Sequence, residues 1–362
     1  MSKKIKSLVL MMTITSITLL TVCLVPTNFS QTCLGTPIFQ KGMSYAGWTS
    51  GAYADPKSNK SLARLAETNT EWVAICVCWY QKDIYSTEIY ANSSRTPTTT
   101  SVEQTIARAH ELGMNVMLKP MVDPENVGEI VDGEYIWRGL IGKNFTVDER
   151  AQWFNSYANF INSFAELAEQ YDVEMFCVGC EFASLEKWNE NWTQIIANVT
   201  QRYHGPITYA AHMWYYKNIV WWGSVDYVGI DAYFPLTNKY DPTLNELKHS
   251  WNTWANDIES WHSQVNNPIL FTETGYRSYN GTNMEPGEPQ NHTQSVDLQE
   301  QVDCYEAAFQ TLWNRNWFYS FYWWHWQTDP NYGGPSNDDF TPQNKPVQYL
   351  ITSWYSLNTL RI

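Results

Sequence analysis

The chain has 362 residues, 44% of them hydrophobic, enough to bury a large core in one barrel-sized domain. Its 23 Lys and Arg stand against 37 Asp and Glu, a formal net charge of −14, which argues against nucleic acid or an anionic membrane surface as partner, because both are bound through basic patches. No Pro-, Gly- or Ser-rich tract divides the sequence, so a single domain is expected over residues 38–362.

The first segment reads as targeting rather than fold. Lys3, Lys4 and Lys6 precede an apolar stretch from Leu8 to about Val25, the charged-then-apolar order of an export signal. That stretch is near the ~20 residues needed to span a bilayer. It is followed by no Ala-x-Ala cleavage site, so residues 1–30 are expected to be either a removed signal peptide or a retained N-terminal anchor. Both readings place the remainder outside the cell, with membrane attachment through this segment only.

Eight apolar runs bounded by turn residues follow, at 42–50 (GMSYAGWTS), 72–80 (WVAICVCWY), 115–123 (NVMLKPMVD), 174–182 (EMFCVGCEF), 206–214 (PITYAAHMW), 226–234 (DYVGIDAYF), 268–276 (PILFTETGY) and 317–326 (WFYSFYWWHW). Between most of them lie patterns with apolar residues three and four apart, among them Val102–Leu112, Ala151–Gln170, Leu244–His262 and Leu298–Trp313. The interval Tyr216–Val225 is too short for a full helix. Near-continuous apolar strands alternating with helices predict an α/β fold with a parallel sheet covered on all sides. At this length, that sheet is a closed (β/α)8 TIM barrel with one degenerate βα unit. The competing architecture, an open doubly wound sheet, lacks its G-x-G-x-x-G after the first strand.

Barrel chemistry sits at the C-terminal ends of the strands. Glu181 in VGCEF ends the fourth run and Glu273 in FTETGYRS ends the seventh, which places two carboxylates to face each other across the mouth. A single acid at a strand end is commonly a helix N-cap, a salt-bridge partner or a solvated rim residue. Two of them, each after an apolar run, fit glycosidic bond cleavage: one carboxylic acid protonates the departing oxygen while the other attacks the anomeric carbon or activates water. A separation of roughly 5 to 5.5 Å gives retention of configuration, and about 6.5 to 9.5 Å gives inversion.

Nineteen tryptophans, several at strand ends, suit the C–H faces of pyranose rings. Trp79 and Trp214 are candidate substrate contacts. Trp323, Trp324 and Trp326 cannot all point inward, because side chains alternate along a strand, so Trp324 and Trp326 are expected to share the face lining the cleft. Lys119 and Asp123 at the third strand end, and Asp231 in the sixth, are placed either to bond a sugar hydroxyl or to tie the rim together by ion pairing. His212 and His325 read as packed histidines, since no H-x-x-x-H or equivalent spacing accompanies them. Six cysteines lie beyond the N-terminal segment (Cys33, Cys76, Cys78, Cys177, Cys180 and Cys304) and permit disulfides, while the C-x-x-C of Cys177 and Cys180 reads as small buried residues on a strand. No G-x-S-x-G elbow and no phosphate-binding G-x-x-x-x-G-K-[ST] is present, and nothing implies a metal or cofactor.

Taken in order, KGMSYAGW, MLKPMVD, VGCEF, VGIDAYFPL, TETGYRS and the closing WWHWQTDPNYGG resemble glycoside hydrolase family 113, from about Lys41 to the C-terminal helix. The family belongs to the retaining clan A, and its known members are chiefly β-mannanases. The resemblance implies that Glu181 is the acid/base, that Glu273 is the nucleophile, and that Tyr233 is an aromatic hydroxyl beside the nucleophile. It implies an endo-β-mannanase-like enzyme acting on an oligosaccharide or polysaccharide by double displacement. A monomer is expected. Many clan A enzymes carry Asn immediately before the acid/base, where it contacts the sugar 2-hydroxyl, and here the residue is Cys180. A glucanase or chitosanase, or a non-catalytic cell-surface carbohydrate-binding protein, are the alternatives.

Overall fold

Eight strands form the sheet: β1 (Gln40–Ala46), β2 (Trp72–Gln81), β3 (Asn115–Pro124), β4 (Met175–Cys180), β5 (Ile207–His212), β6 (Tyr227–Asp231), β7 (Ile269–Thr274) and β8 (Phe318–Gln327). Each pairs in parallel with the next, and β8 pairs back onto β1 to close the barrel. The computed structural model describes residues 39–287 and 293–358. The expected signal or anchor at residues 1–30 and Cys33 lie outside the described residues.

Helices α1 (Pro56–Ala66), α2 (Thr99–Glu111), α3 (Val147–Gln170), α4 (Asn189–Thr200), α5 (Leu244–His262), α6 (Leu298–Leu312) and α7 (Pro346–Tyr355) complete the units. The starts of α3 and α5 are fixed by capping boxes, Thr146 with Glu149 and Thr243 with Glu246. For this reason α3 begins four residues before its apolar pattern does. The β5–β6 connection holds only two single 3₁₀ turns, Tyr216–Asn218 and Trp222–Ser224, and is the degenerate unit. A short antiparallel hairpin, Ile130–Val131 with Glu134–Tyr135, sits unpredicted in the β3–α3 connection. Among the described residues, no helix is long and apolar enough to cross a membrane.

Side-chain alternation sorts the core into two layers. An inner cluster drawn from the strands (Cys76, Cys78, Met117, Met121, Met175, Cys177, Leu270 and Tyr322 among them) fills the barrel. A larger outer cluster lies between strands and helices and holds most of the aromatic mass. All five described cysteines are free thiols, so the C-x-x-C is a pair of buried strand residues as expected.

The loop after β4 is pinned from the outer layer. Tyr209 Oη accepts the Phe182 N–H at 2.9 Å and donates to Glu186 Oε1 at 2.8 Å. The Glu186 carbonyl accepts the Trp221 indole N–H at 2.9 Å. Burial pushes the Glu186 carboxyl up to about 7. Tyr209→Phe strands a buried N–H and a buried carboxyl together, so denaturant unfolding should show a loss of about 1 to 3 kcal/mol.

Candidate active site

Three barrel strands converge on one ammonium. Lys119 on β3 is fully buried, its Nζ 2.5 Å from Glu273 Oε1 on β7 and 3.6 Å from Asp231 Oδ1 on β6. Glu273 Oε2 accepts the Tyr233 hydroxyl at 2.8 Å. Burial and the charge of Glu273 push Tyr233 well above the ordinary phenol range, which keeps it a donor. Asp231 Oδ1 also accepts Thr272 Oγ1 at 2.7 Å, and burial beside Glu273 raises its carboxyl to about 6.

Glu273 faces this cluster because β7 departs from regular register. Ile230 pairs with Phe271 but Asp231 pairs with Glu273, so Thr272 is an extra residue on β7. Such bulges redirect side chains next to active sites. Gly275 follows, at a place where a Cβ would lie 2.7 Å from the Trp324 carbonyl; only glycine lets the chain pass there.

Glu181 is the first residue after β4. Its N–H makes a last ladder bond to Ala210 O at 2.8 Å, and its φ of 56° is left-handed, a conformation that costs a non-glycine residue roughly 1 to 2 kcal/mol. No described residue hydrogen-bonds its half-buried carboxyl. Burial, then the negative charges of Asp231 and Glu273, raise it well above the ordinary carboxylate range, while Arg138 and Lys119 oppose the shift. Glu181 therefore holds its proton more tightly than an ordinary carboxyl does, while Glu273 is held by an ammonium and a phenolic hydroxyl.

Arg138, on the 3₁₀ turn Arg138–Leu140, gave no sequence signal. Its guanidinium grips Asp123 with two bonds, of 2.8 and 3.1 Å, and donates to Cys180 Sγ at 3.1 Å. Cys180 in turn donates to Asp231 Oδ2 at 3.5 Å. Cys180, Asp231 and Glu273 bring three potential ligand atoms within 4.8 Å of one another, but the cation among them is the Lys119 ammonium. His212 and His325 are both pushed down to about 4 by burial; His325 is buried as a packed histidine should be, whereas His212 is only half-buried.

The aromatic expectations divide. Trp324 is half-buried at the cleft, with its ring 6.0 Å from Lys119 Nζ and 5.9 Å from Trp48. Trp326 does not share its face: it is 1% exposed and its indole donates to Ser61 Oγ of α1 at 2.9 Å. The register between β1 and β8 shifts between Trp323 and Trp326, which breaks the alternation and puts both in the outer layer. Trp79 also points outward, onto Phe160 and Phe164 of α3, because the inward positions of β2 are Cys76, Cys78 and Tyr80. Trp214 lies at the rim, 51% exposed, against Phe234 and Trp254 rather than the carboxylates. Lys119 and Asp231 are fully buried beneath the site and act by ion pairing, out of reach of a sugar. Two cavities of about 310 and 370 Å³ flank Tyr85 and include none of these groups, so the site is marked by its charges.

A closed (β/α)8 barrel with carboxyls gathered at the C-terminal ends of its strands is a scaffold on which glycoside hydrolases are built. The chain belongs to Glycoside Hydrolase Family 113, whose profile matches residues 43–345. A solved complex of a family 113 β-1,4-mannanase is 29% identical with a TM-score of 0.76, covering 88% of this chain and 99% of that one. The family 113 β-mannanase from Alicyclobacillus acidocaldarius, in complex with ManMIm, is 25% identical with a TM-score of 0.77 over 88% and 97% of the two chains. A β-glucuronidase from Ruminococcus gnavus, 12% identical with a TM-score of 0.57 over 88% of this chain and 50% of that one, shares the fold alone. No curated protein sequence matches the chain.

Two outcomes follow from the charges. The carboxyl of Glu181 has a higher pKa folded than unfolded, so its contribution favours folding below the ordinary carboxylate range and is lost as pH rises through the folded value. Glu181→Gln should therefore exceed the parent in stability by about 1 kcal/mol at pH 8, with the gap closing by pH 4, as read by thermal unfolding. Lys119→Met removes a charge that lowers Glu181 and steadies Glu273. Turnover should fall at least about 100-fold, and the basic limb of the pH–rate profile should move to higher pH.

Proposed function

We propose that the protein is a retaining β-mannanase working by double displacement. Glu273 attacks the anomeric carbon to form a glycosyl-enzyme, and Glu181 protonates the leaving oxygen. Glu181 then takes a proton from the incoming water as that water releases the sugar. The observation that carries this reading is the asymmetry of the two acids. Glu273 is clamped between the Lys119 ammonium and the Tyr233 hydroxyl, whereas burial raises the Glu181 carboxyl and no described residue hydrogen-bonds it. A carboxyl raised by burial suits the acid, and one fixed by two donors suits the nucleophile. Tyr233 orients the nucleophile.

The β-1,4-mannan substrate is supported by the two family 113 structures named above, a β-1,4-mannanase and a β-mannanase. Cys180 bears on how such a sugar is held. Its thiol already accepts from Arg138 and donates to Asp231, so the contact that Asn makes with the 2-hydroxyl in many clan A enzymes has no counterpart here.

A reducing-sugar assay on mannan, glucomannan, cellulose, xylan and chitosan should rank mannan first. A higher rate on any of the last three overturns the sugar assignment. Glu273→Ala should lower turnover by about four orders of magnitude. With azide and an activated aryl glycoside, that variant should yield a glycosyl azide of inverted configuration. A variant of near-normal rate removes Glu273 from the nucleophile role. Binding that survives loss of both glutamates, with no hydrolysis by the parent, identifies a carbohydrate-binding protein instead.

A further inference from the structure

The strand that carries Glu181 lies between β3 and β5, and aromatic side chains from both neighbours meet across it. Trp137 precedes the 3₁₀ turn of the β3–α3 connection; His212 ends β5, and Tyr215 follows it. The rings of Trp137 and His212 are 5.0 Å apart at 51°, and those of His212 and Tyr215 are 5.5 Å apart at 45°. Trp137 and His212 are half-buried and Tyr215 is 37% exposed, so this wall presents a face to solvent.

The wall is built rather than incidental. A Cβ on Gly139 would lie 2.2 Å from the Trp137 indole, so the ring rests where only glycine leaves room. The Gly139 carbonyl accepts both the N–H and the hydroxyl of Ser184, at 3.0 and 2.8 Å, which ties the turn to the loop bearing Glu181. His212 Nδ1 accepts the Trp214 N–H at 3.3 Å. A neutral imidazole accepting at Nδ1 carries its proton on Nε2 and is a donor there. The inward alternation of β5 and the influence of Glu273 on His212 both place that ring on the cleft side.

We infer that Trp137, His212 and Tyr215 form the subsite for the leaving-group sugar, with the aromatic rings against its C–H face and His212 Nε2 donating to one of its hydroxyls. The inference rests on Glu181 as the acid. The oxygen it protonates is bonded to the leaving sugar, so that sugar lies against whatever flanks the Glu181 strand, and this wall does so from both sides. An aromatic surface with one fixed donor is the chemistry that recognises a neutral pyranose.

The test compares a manno-oligosaccharide with the matching glycosyl fluoride, whose leaving group is one fluoride ion and fills no sugar subsite. In His212→Ala, Trp137→Ala and Gly139→Ala, kcat/KM on the oligosaccharide should fall about tenfold, and that loss should exceed the loss on the fluoride at least fivefold. Gly139→Ala displaces the indole without removing any group, so it decides the matter if Trp137→Ala fails to fold. Equal losses on the two substrates, or an undiminished oligosaccharide rate, overturn the inference. Should the parent prefer another β-linked glycan, the mannan assignment fails by itself, and the same ratio is read on that glycan and its fluoride.

Discussion

The constraint on which the site depends is a shortage of positive charge. Four carboxyls, those of Asp123, Glu181, Asp231 and Glu273, share the barrel mouth with two cations, Lys119 and Arg138. Arg138 is committed to Asp123 by a two-pronged grip, which leaves three carboxyls to one ammonium. In a poorly solvated interior three such charges cannot all persist beside a single cation, so protons are retained where the field is least favourable to an anion. Glu273 has both the ammonium and a phenolic donor, Asp231 has a hydroxyl and a more distant ammonium, and Glu181 has neither. The raised carboxyls of Asp231 and Glu181 follow from that geometry.

Backbone irregularity delivers the side chains to this field. An ideal strand would send Glu273 outward, with Phe271; the extra residue at Thr272 reverses it. Cys177 and Cys180 are three apart yet both inward, and the register shift between them makes that possible. Glu181 leaves the strand through a left-handed residue. Each is a local departure from regular sheet geometry, and all three occur at the catalytic end of the barrel, where strain is tolerated because the surrounding frame holds it.

These departures also mark where the sequence was legible. The eight strands, the short β5–β6 connection and the two glutamates at strand ends could be read because apolar runs end abruptly there. Trp326 could not, since its assignment to the cleft assumed an alternation that the β1–β8 register interrupts. Trp79 failed differently: both faces of a barrel strand are apolar, so periodicity does not say which face is inside. Arg138 lay in a connection without periodicity, and its role exists only once β3 and β4 bring Asp123 and Cys180 to it. Lys119 was visible as a charge within an apolar run, but its partners come from strands far along the chain.

The excess of tryptophan gains a different meaning from this arrangement. Trp153, Trp192, Trp222, Trp251, Trp323 and Trp326 are fully buried in the layer between strands and helices, while Trp48, Trp137 and Trp324 are half-buried. Composition suggested carbohydrate contact, yet most of this aromatic mass braces the barrel from outside. That bracing has a functional consequence. A strained acid and an undercompensated cluster of carboxyls would both relax in a pliant frame, the first by returning to an extended backbone and the second by admitting water. Close aromatic packing around the strands, as where Trp192 lies against Tyr209 and Trp221 next to the Glu181 loop, denies them both routes. The rigid shell and the reactive floor are in this sense one device: burial within that frame is the first cause of the raised Glu181 carboxyl, and the charges of Asp231 and Glu273 come after it.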